Sequence, residues 1–480
     1  MVYFYTKHPS LTHELGDVLR IFYPLGDVVP CEDASKRPLL MYAYENGVHE
    51  AHFFCDGKSF SHRYRHWEDT ATQNDARIRT RNEKHAAKIC VYRALEKAFG
   101  AAPWGALTGV RPTRLAKDLF MRYGRHAYAL LTSEYGLRPD KTALLEQIIA
   151  VQEPFMRGIH EKSADVYIGI PFCRTRCAYC SFTSVALTKK RRQVQAYLEV
   201  LHEELRAGNG MFAEFGYDVR SIYVGGGTPT ALLPDELDAL MKAVVSFWPG
   251  CPELTVEAGR PDTITQEKLS VLQDYGVNRI SINPQSMCDE TLKRIGRDHT
   301  SEQTQEAFAL ARKMGFSHIN MDVIAGLPGE GETHMRHTLR MIEQMDPESL
   351  TVHTLAIKRA AHMRRSSFDD LPDDACVETM IDMARASVQK MGMQPYYLYR
   401  QKNMRGNLEN TGYCKPGHVC VYNIDIMEEA TTVLALGAGA VTKRLYGEQD
   451  RIERQANPKD IGQYIERLEE LLQKKRALLQ

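Results

Sequence analysis

Cys173, Cys177 and Cys180 stand in the run YIGIPFCRTRCAYCSF, with three residues between the first pair and two between the second. A strand-like stretch leads directly into them. Thiolates this closely spaced can hold three irons of a 4Fe-4S cube, leaving the fourth iron without a cysteine ligand. An open coordination position lets another molecule bind the metal directly, as at a three-ligand zinc centre. Structural zinc is the alternative reading of the C-x2-C spacing. Such sites draw four ligands from two knuckles, and no second knuckle is near in the sequence.

The triplet, with Tyr179 before its last cysteine, resembles the signature of the radical S-adenosylmethionine superfamily. That resemblance implies that the open iron chelates the amino and carboxyl groups of S-adenosylmethionine. One electron from the cluster then cleaves the sulfonium to give a 5′-deoxyadenosyl radical. A one-electron donor such as a flavodoxin or ferredoxin is the implied partner.

The elements that must position these residues are legible in outline. From about residue 165, short β-branched runs alternate with helical patterns. The spacing predicts strands over 166–170, 221–224, 253–257, 279–283, 319–324 and 349–355, each followed by a helix. Six such units predict an α/β fold, an incomplete parallel β/α barrel over 161–371. Barrels of this kind carry their sites at the C-terminal ends of the strands, where the cysteines, Gly225-Gly226-Gly227, Glu257, Gln285, Asp322 and Ala356 fall. Residues 1–160 read as a small α+β domain with a helical linker, including a hairpin that turns at Asn46-Gly47. Residues 372–480 read as a mostly helical extension covering the substrate, ending in a helix capped by Asn457.

Glycines directly after a strand let a ligand approach the backbone, although a glycine triplet alone also makes a plain turn. YIGIPFC, GGGTPT, RISINPQSM, IGRDH and MDVIAGLPGE occur in this order at strand ends. The ordered set is similar to the oxygen-independent coproporphyrinogen III oxidase family, also called coproporphyrinogen dehydrogenase. By position, the family's cofactor contacts fall on Tyr167, Tyr179, Gly226, Gly227, Thr228, Glu257, Gln285, Arg297, Asp322 and Ala356. Tyr167, Gln285 and Arg297 carry over as catalytic positions. A second S-adenosylmethionine is implied near Val441, beyond Gly437-Ala438-Gly439. The implied substrate is coproporphyrinogen III, two of whose propionates become vinyl groups with loss of carbon dioxide. Its anionic side chains call for cations, and Arg174, Arg176, residues 189–192, Lys358 and Arg359 lie near the expected mouth. Tyr397 and Tyr399 are candidates to pack on a tetrapyrrole face.

Composition excludes several classes. Lys+Arg and Asp+Glu are both 61 in 480 residues, and a chain of zero net charge does not suit a large nucleic-acid footprint. No apolar run is long enough to span a bilayer, and no signal peptide opens the sequence. Eleven cysteines, an odd number, fit a reducing cytoplasm better than a disulfide framework.

Three features depart from the family pattern. Gly169 stands where well-studied members have histidine, Phe182 stands where they have a fourth cysteine, and residues 1–160 make a longer N-terminal region. The first two resemble the superfamily branch of haem chaperones. The long N-terminus, with WGALTGVRPTRL, resembles the variant oxidase-like paralogue. A third class, radical enzymes that modify tRNA, would use Cys31, Cys55 and Cys90 for a second cluster. The segment after Pro416 lacks the basic and aromatic pattern of an RNA-binding module.

Overall fold

The structure, a computed structural model, describes residues 1–23, 26–33, 35–67, 76–109, 111–187, 191–356, 370–401, 404–447 and 451–480. They pack as two units, Met1–Gln147 with Arg400–Leu408, and Ile148–Tyr399 with Glu409–Gln480. In the first unit, β1 (Val2–Thr6), β2 (Val28–Pro30), β3 (Leu39–Glu45), β4 (Val48–Cys55) and β5 (Lys58–Tyr64) form one sheet in the order β2-β1-β3-β4-β5. Asn46 and Gly47 turn between β3 and β4 with φ of +51° and +75°, the paired left-handed geometry of a tight hairpin. Asp56-Gly57 repeats it at +50° and +73° and makes a second hairpin, to β5, which the sequence had not suggested. Helices Thr12–Phe22 and Ala76–Phe99 pack on this sheet.

The second unit is built on β6 (Ser163–Ile170), the short pair β7 (Phe172–Cys173) and β8 (Val185–Ala186), β9 (Asp218–Gly226), β10 (Leu254–Gly259), β11 (Arg279–Ile282), β12 (Ile319–Ala325) and β13 (Ser349–Thr354). β6 and β9 to β13 pair in parallel, in chain order, with a helix after each. This is the expected six-unit incomplete barrel. Beyond it lie helices Asp374–Lys390, Val421–Glu428, Ile461–Glu466 and Leu468–Leu479. The same region adds five unexpected strands: β14 (Gln394–Tyr399), β15 (Asn410–Cys414), β16 (Thr432–Leu436), β17 (Val441–Tyr446) and β18 (Arg451–Ala456). The open sheet runs β14-β15-β13-β12-β11-β10-β9-β6-β16-β17-β18. Because β16 is parallel to β6, seven parallel strands stand side by side.

Side chains alternate across each strand, and the parallel register aligns them. Val166, Ile168, Ile222, Val224, Val256, Ile280, Met321, Val323, Leu350 and Val352 share one face and are buried. Tyr167, Tyr223, Thr255, Glu257, Ser281, Asn320, Asp322, Thr351 and His353 share the other, the inner face. Helix Val421–Glu428 closes the floor beneath them. Glu253 accepts hydrogen bonds from Val421 N at 2.7 Å and Tyr422 N at 3.0 Å, and Arg220 pairs with Asp425 at 2.9 Å. The Tyr422 ring stacks on Tyr223 at 4.4 Å.

A buried polar network holds β16 and its following turn. Glu204 accepts from Gly437 N at 2.7 Å, Asn457 Nδ2 at 2.9 Å and Tyr464 Oη at 2.8 Å. Lys475 Nζ lies 3.0 Å from Glu204 Oε1, both side chains fully buried. Asn457 therefore does not cap the last helices; Asp460 caps Ile461–Glu466, accepting from Gln463 N at 3.0 Å. Gly437 has φ +99°, and a Cβ there would lie 2.5 Å from Gly169 O, so the turn lies directly against β6.

Breaking a buried ion pair leaves an uncompensated charge. Lys475→Ala should therefore destabilise the protein by roughly 3–5 kcal/mol in denaturant unfolding. Lys474→Ala, which removes an exposed partner of Glu470, should change it by less than about 1 kcal/mol. Equal effects would contradict this account of the network.

Candidate functional site

The cysteine loop leaves the sheet after β6 and is pinned from three sides. Ala178 N donates to Ile295 O at 2.9 Å, and Thr175 Oγ1 donates to Gly296 O at 3.1 Å. Arg260, almost wholly buried, reaches Thr175 Oγ1 at 2.7 Å and grips Asp262 with two 2.9 Å bonds. Arg174 lies 3.6 Å from the same Asp262 carboxylate, so this candidate cation is engaged in holding the loop. Cys173, Cys177 and Cys180 are free thiols. Burial pushes the Cys173 thiol up to about 11, and Thr228 Oγ1 donates to its sulfur at 3.5 Å. Metal loading would have to displace that proton, since iron takes the thiolate. Tyr179 packs against Leu292, Ile295 and Leu327 and accepts from Arg297 Nη1 at 3.0 Å. Arg297 Nη2 donates to Asn283 O at 2.9 Å, tying the loop to the end of β11.

The glycine triplet is required for room. A Cβ on Gly225 would lie 2.8 Å from Glu257 Oε2, and one on Gly227 would lie 2.6 Å from Phe172 O. Gly226 has φ +104°, which side chains resist; a Cβ there would meet the Tyr167 hydroxyl at 3.2 Å. Gly227 N and Thr228 N donate to Ile170 O and Phe172 O at 2.7 and 2.8 Å. Gly225-Gly226-Gly227 thus lets three things meet: β9, the cysteine loop and the Glu257 carboxyl.

Glu257 accepts from Tyr223 Oη and, at 3.2 Å, from Gly226 N. Burial, with the Asp322 charge nearby, pushes its carboxyl up to about 7 despite those two donors. At Asp322 burial acts in the same upward direction but is outweighed by His353, Asn320 and Thr351, which hold the carboxyl below its ordinary value. Asn320 Nδ2 donates to Asp322 Oδ1 at 2.9 Å, and His353 Nε2 stands 3.7 Å from Oδ2. Gln285 sits at φ +66°, a left-handed conformation that a non-glycine residue rarely holds. Its N–H donates to Asp322 O at 2.9 Å and its C=O accepts from Ile324 N at 3.0 Å.

The structure thus gathers Cys173, Thr228, Gly226, Gly227, Tyr167 and Glu257 at one group of strand ends, with Gln285 on Asp322 and Tyr179 on Arg297. Ala356 follows β13. Val441 opens β17 and is 43% exposed, just past the Gly437-Ala438-Gly439 turn. Lys189, Lys190, Lys358 and Arg359 lie outside the described residues. Cys31, Cys55 and Cys90 bond to three different acceptors, Asp33 O, Asp56 Oδ2 and His62 O. Tyr223, His353, Asn320 and the Arg260–Asp262 pair were not anticipated. Tyr223 could have been found as the residue two before Gly225, on the face that points at the site.

The donor set suits a cluster with an organic cofactor. Cys173 stands against Thr228 at the end of a backbone cradle in which even a methyl group collides, with Cys177 and Cys180 near enough to act on its thiol. Asn283 Oδ1, at the end of β11, is buried with no hydrogen-bond partner among the described residues.

Because the folded-state value of Glu257 is raised above its ordinary 4.5, the neutral acid is the favoured form in the fold. Its stabilisation is fully present below about 4.5 and is lost as the pH rises through about 7, roughly 3 kcal/mol in all. Glu257→Gln should remove that component. The thermal midpoint of the variant should gain on the parent between pH 5 and pH 8, and a constant difference would contradict the burial argument.

Comparison with known proteins identifies the family. The Radical SAM superfamily model matches residues 167–342. The chain is 45% identical over 374 residues to the oxygen-independent coproporphyrinogen-III oxidase-like protein HemZ of Bacillus subtilis (strain 168), covering 76% of this chain and 75% of that protein. It is 30% identical over 307 residues to the heme chaperone HemW of Escherichia coli (strain K12), covering 63% of this chain and 76% of the relative. Among solved structures it is similar to the radical SAM enzyme coproporphyrinogen III oxidase (HemN) of Escherichia coli. The TM-score is 0.54 at 23% identity, over 66% of this chain and 72% of the other, which speaks to the fold. A 4Fe-4S cluster and S-adenosylmethionine come with this superfamily. The chain belongs to the radical S-adenosylmethionine superfamily and, within it, to the oxygen-independent coproporphyrinogen-III-oxidase-like family.

Proposed function

We propose that the protein catalyses the oxygen-independent oxidative decarboxylation of coproporphyrinogen III to protoporphyrinogen IX. The observation that carries this reading is the 45% identity, over three quarters of both chains, to an oxidase-like relative, together with a strand-end site that joins the thiols to Glu257. Cluster and S-adenosylmethionine supply a carbon radical able to take a hydrogen atom from an unactivated carbon, which no side-chain base can deprotonate at neutral pH. Cys173, Cys177 and Cys180 would hold the cluster. Tyr167, Gly226, Gly227, Glu257, Gln285, Arg297 and Asp322 would bind and orient the cofactor, with Thr228, Tyr179 and Ala356 beside it and Val441 near a second molecule. The tyrosine-lined floor over Tyr422 would keep water from the reacting side, which is the protein's main contribution in cofactor chemistry.

Haem binding is the second reading, favoured by Gly169 and by the 67% exposed Phe182 beside the cysteine loop. Both readings need the cluster, and neither needs a membrane; among the described residues no helix is long and apolar enough to cross one.

The anaerobically reconstituted protein should hold about four irons and four sulfides, and Cys177→Ala should lose them. With a one-electron donor and S-adenosylmethionine it should convert coproporphyrinogen III stepwise, with loss of two carbon dioxide units and formation of 5′-deoxyadenosine, followed by porphyrin mass analysis. Tight haem binding without decarboxylation would move the protein to the second reading. Incorporation of label into tRNA with inertness to both would move it out of tetrapyrrole chemistry.

A further inference from the structure

Arg260 falls in none of the motifs that carry the family resemblance, and its backbone is fixed independently of the cysteine loop. Directly past β10, Arg260 N donates to Ala258 O at 2.6 Å, and its carbonyl accepts from Thr263 N at 3.0 Å and Thr263 Oγ1 at 2.8 Å. Lys268 Nζ donates to Thr230 O at 2.6 Å and Thr263 O at 3.1 Å, which ties this turn to the segment after the glycine triplet. From that platform the guanidinium reaches in two directions. Nε and Nη2 each stand 2.9 Å from an oxygen of Asp262, and Nη1 donates to Thr175 Oγ1 at 2.7 Å and Thr175 O at 3.2 Å. Both side chains of the Arg260–Asp262 pair are buried, 4% and 2% exposed. Thr175 is the residue midway between Cys173 and Cys177.

A planar fork that meets a carboxylate with two bonds has one orientation, which an ammonium would not have. The remaining bonds of Arg260 therefore fix both the side chain and the carbonyl of Thr175, and with them the stretch between the first two thiols. Charge follows the same geometry. Arg174 lies 3.6 Å from the Asp262 carboxylate, so two guanidiniums share one carboxylate and a surplus positive charge stays against the loop. Burial raises the Asp262 carboxyl, but the bonds from Arg260 outweigh it and hold the group below its ordinary value. Burial and Arg297 push the neighbouring His299 down to about 3, so its ring is neutral. Arg297 brings a further cation to the loop from the side of Tyr179. The potential of an iron–sulfur cluster responds to such charges, because the reduced form is more negative by one electron. We propose that Arg260 is a positioning residue for the cluster: locked by Asp262, it holds Thr175 and keeps a fixed positive charge against the cysteine loop, which raises the potential at which a one-electron donor reduces the cluster. The step moves one electron from donor to cluster, and no bond forms or breaks. The inference rests on the reading of Cys173, Cys177 and Cys180 as the cluster's ligands and adds what sets the ease of its reduction.

The test is a redox titration of the anaerobically reconstituted full chain, without S-adenosylmethionine, followed by electron paramagnetic resonance of the reduced cluster. Asp262→Asn removes the carboxylate and keeps an acceptor for Arg260. It should move the reduction equilibrium about tenfold towards the reduced form at a given potential, a rise of ~59 mV for one electron. Arg260→Gln removes a positive charge and should move the equilibrium by a similar factor in the opposite direction. Arg260→Lys keeps the charge without the fork; its potential should stay near that of the parent while iron is lost faster to a chelator. A pair that only supports the fold would lower iron retention in all three variants and leave the potential of the loaded protein unmoved. Shifts of one sign in Asp262→Asn and Arg260→Gln, or no shift in either, overturn the proposal. Because Arg260→Gln also strips Asp262 of its buried partner, that variant can fail to hold iron. Asp262→Asn then decides alone: a raised potential supports the proposal, and an unmoved or lowered one sinks it. Cys177→Ala is the separate control. If that variant keeps about four irons, the assignment of the ligands is what fails.

Discussion

The site depends on one constraint, the parallel register of β6, β9, β10, β12 and β13. Register fixes the height of each side chain, and alternation fixes its face; a slip of one residue would send every inner residue outward. With the register found, Tyr167 stands opposite Tyr223, Gly225 comes level with Glu257, and Asp322 lies one step below His353. Parallel strands covered on both sides usually read as continuous apolar runs. Here only the outer face is apolar. The inner face carries the polar groups and tyrosines, interrupted by Ile324 opposite His353, and helix Val421–Glu428 gives it a floor that is itself capped by Glu253.

A buried polar surface is costly unless its groups pair, and the pairing follows the strands. Glu257 is served by β9, Asp322 by its own strand and β13, and the Tyr397 hydroxyl lies 3.2 Å from Thr351 Oγ1. The same economy of neighbours governs the loop, where Arg260 and Asp262 satisfy each other while holding Thr175. The result is a site whose shape is set by hydrogen bonds between adjacent strands more than by loops. Among the non-glycine residues of the site, Gln285 takes a positive φ, and it does so while bonded twice to β12.

Much of this was legible in the sequence because it is local. The cysteine spacing, the glycines after β9, the hairpin at Asn46-Gly47 and the six strand–helix units each depend on residues within a few positions of one another. What escaped depends on distant partners. Nothing near Thr432–Leu436 announces that it will pair with β6, and nothing near His353 announces Asp322, because register between strands is not written in either strand alone. Tyr397 and Tyr399 looked like a ligand face; in β14 the Tyr397 ring is buried, and the half-buried Tyr399 ring packs against the same core cluster. Asn457 looked like a helix cap because its type and place before Pro458 suit one. Its amide is taken instead by Glu204 and Gly437, from elements it could not have been seen to meet.

The closing of the sheet beside β6 also sets an order of events while the chain is being made. Asp165 bonds to Thr431, 266 residues further on, and β16 is the strand that pairs with β6 on the edge away from β9. At about 5–20 residues per second of synthesis, the thiols of Cys173, Cys177 and Cys180 emerge roughly fifteen to fifty seconds before that strand exists. Through that interval the chain offers three sulfurs on a half-built sheet, whereas the finished fold buries Cys173 and Cys177 and leaves Cys180 half-buried. Delivery of iron and sulfide to the completed fold, or shielding of the nascent loop until then, is a demand that the topology places on the cell.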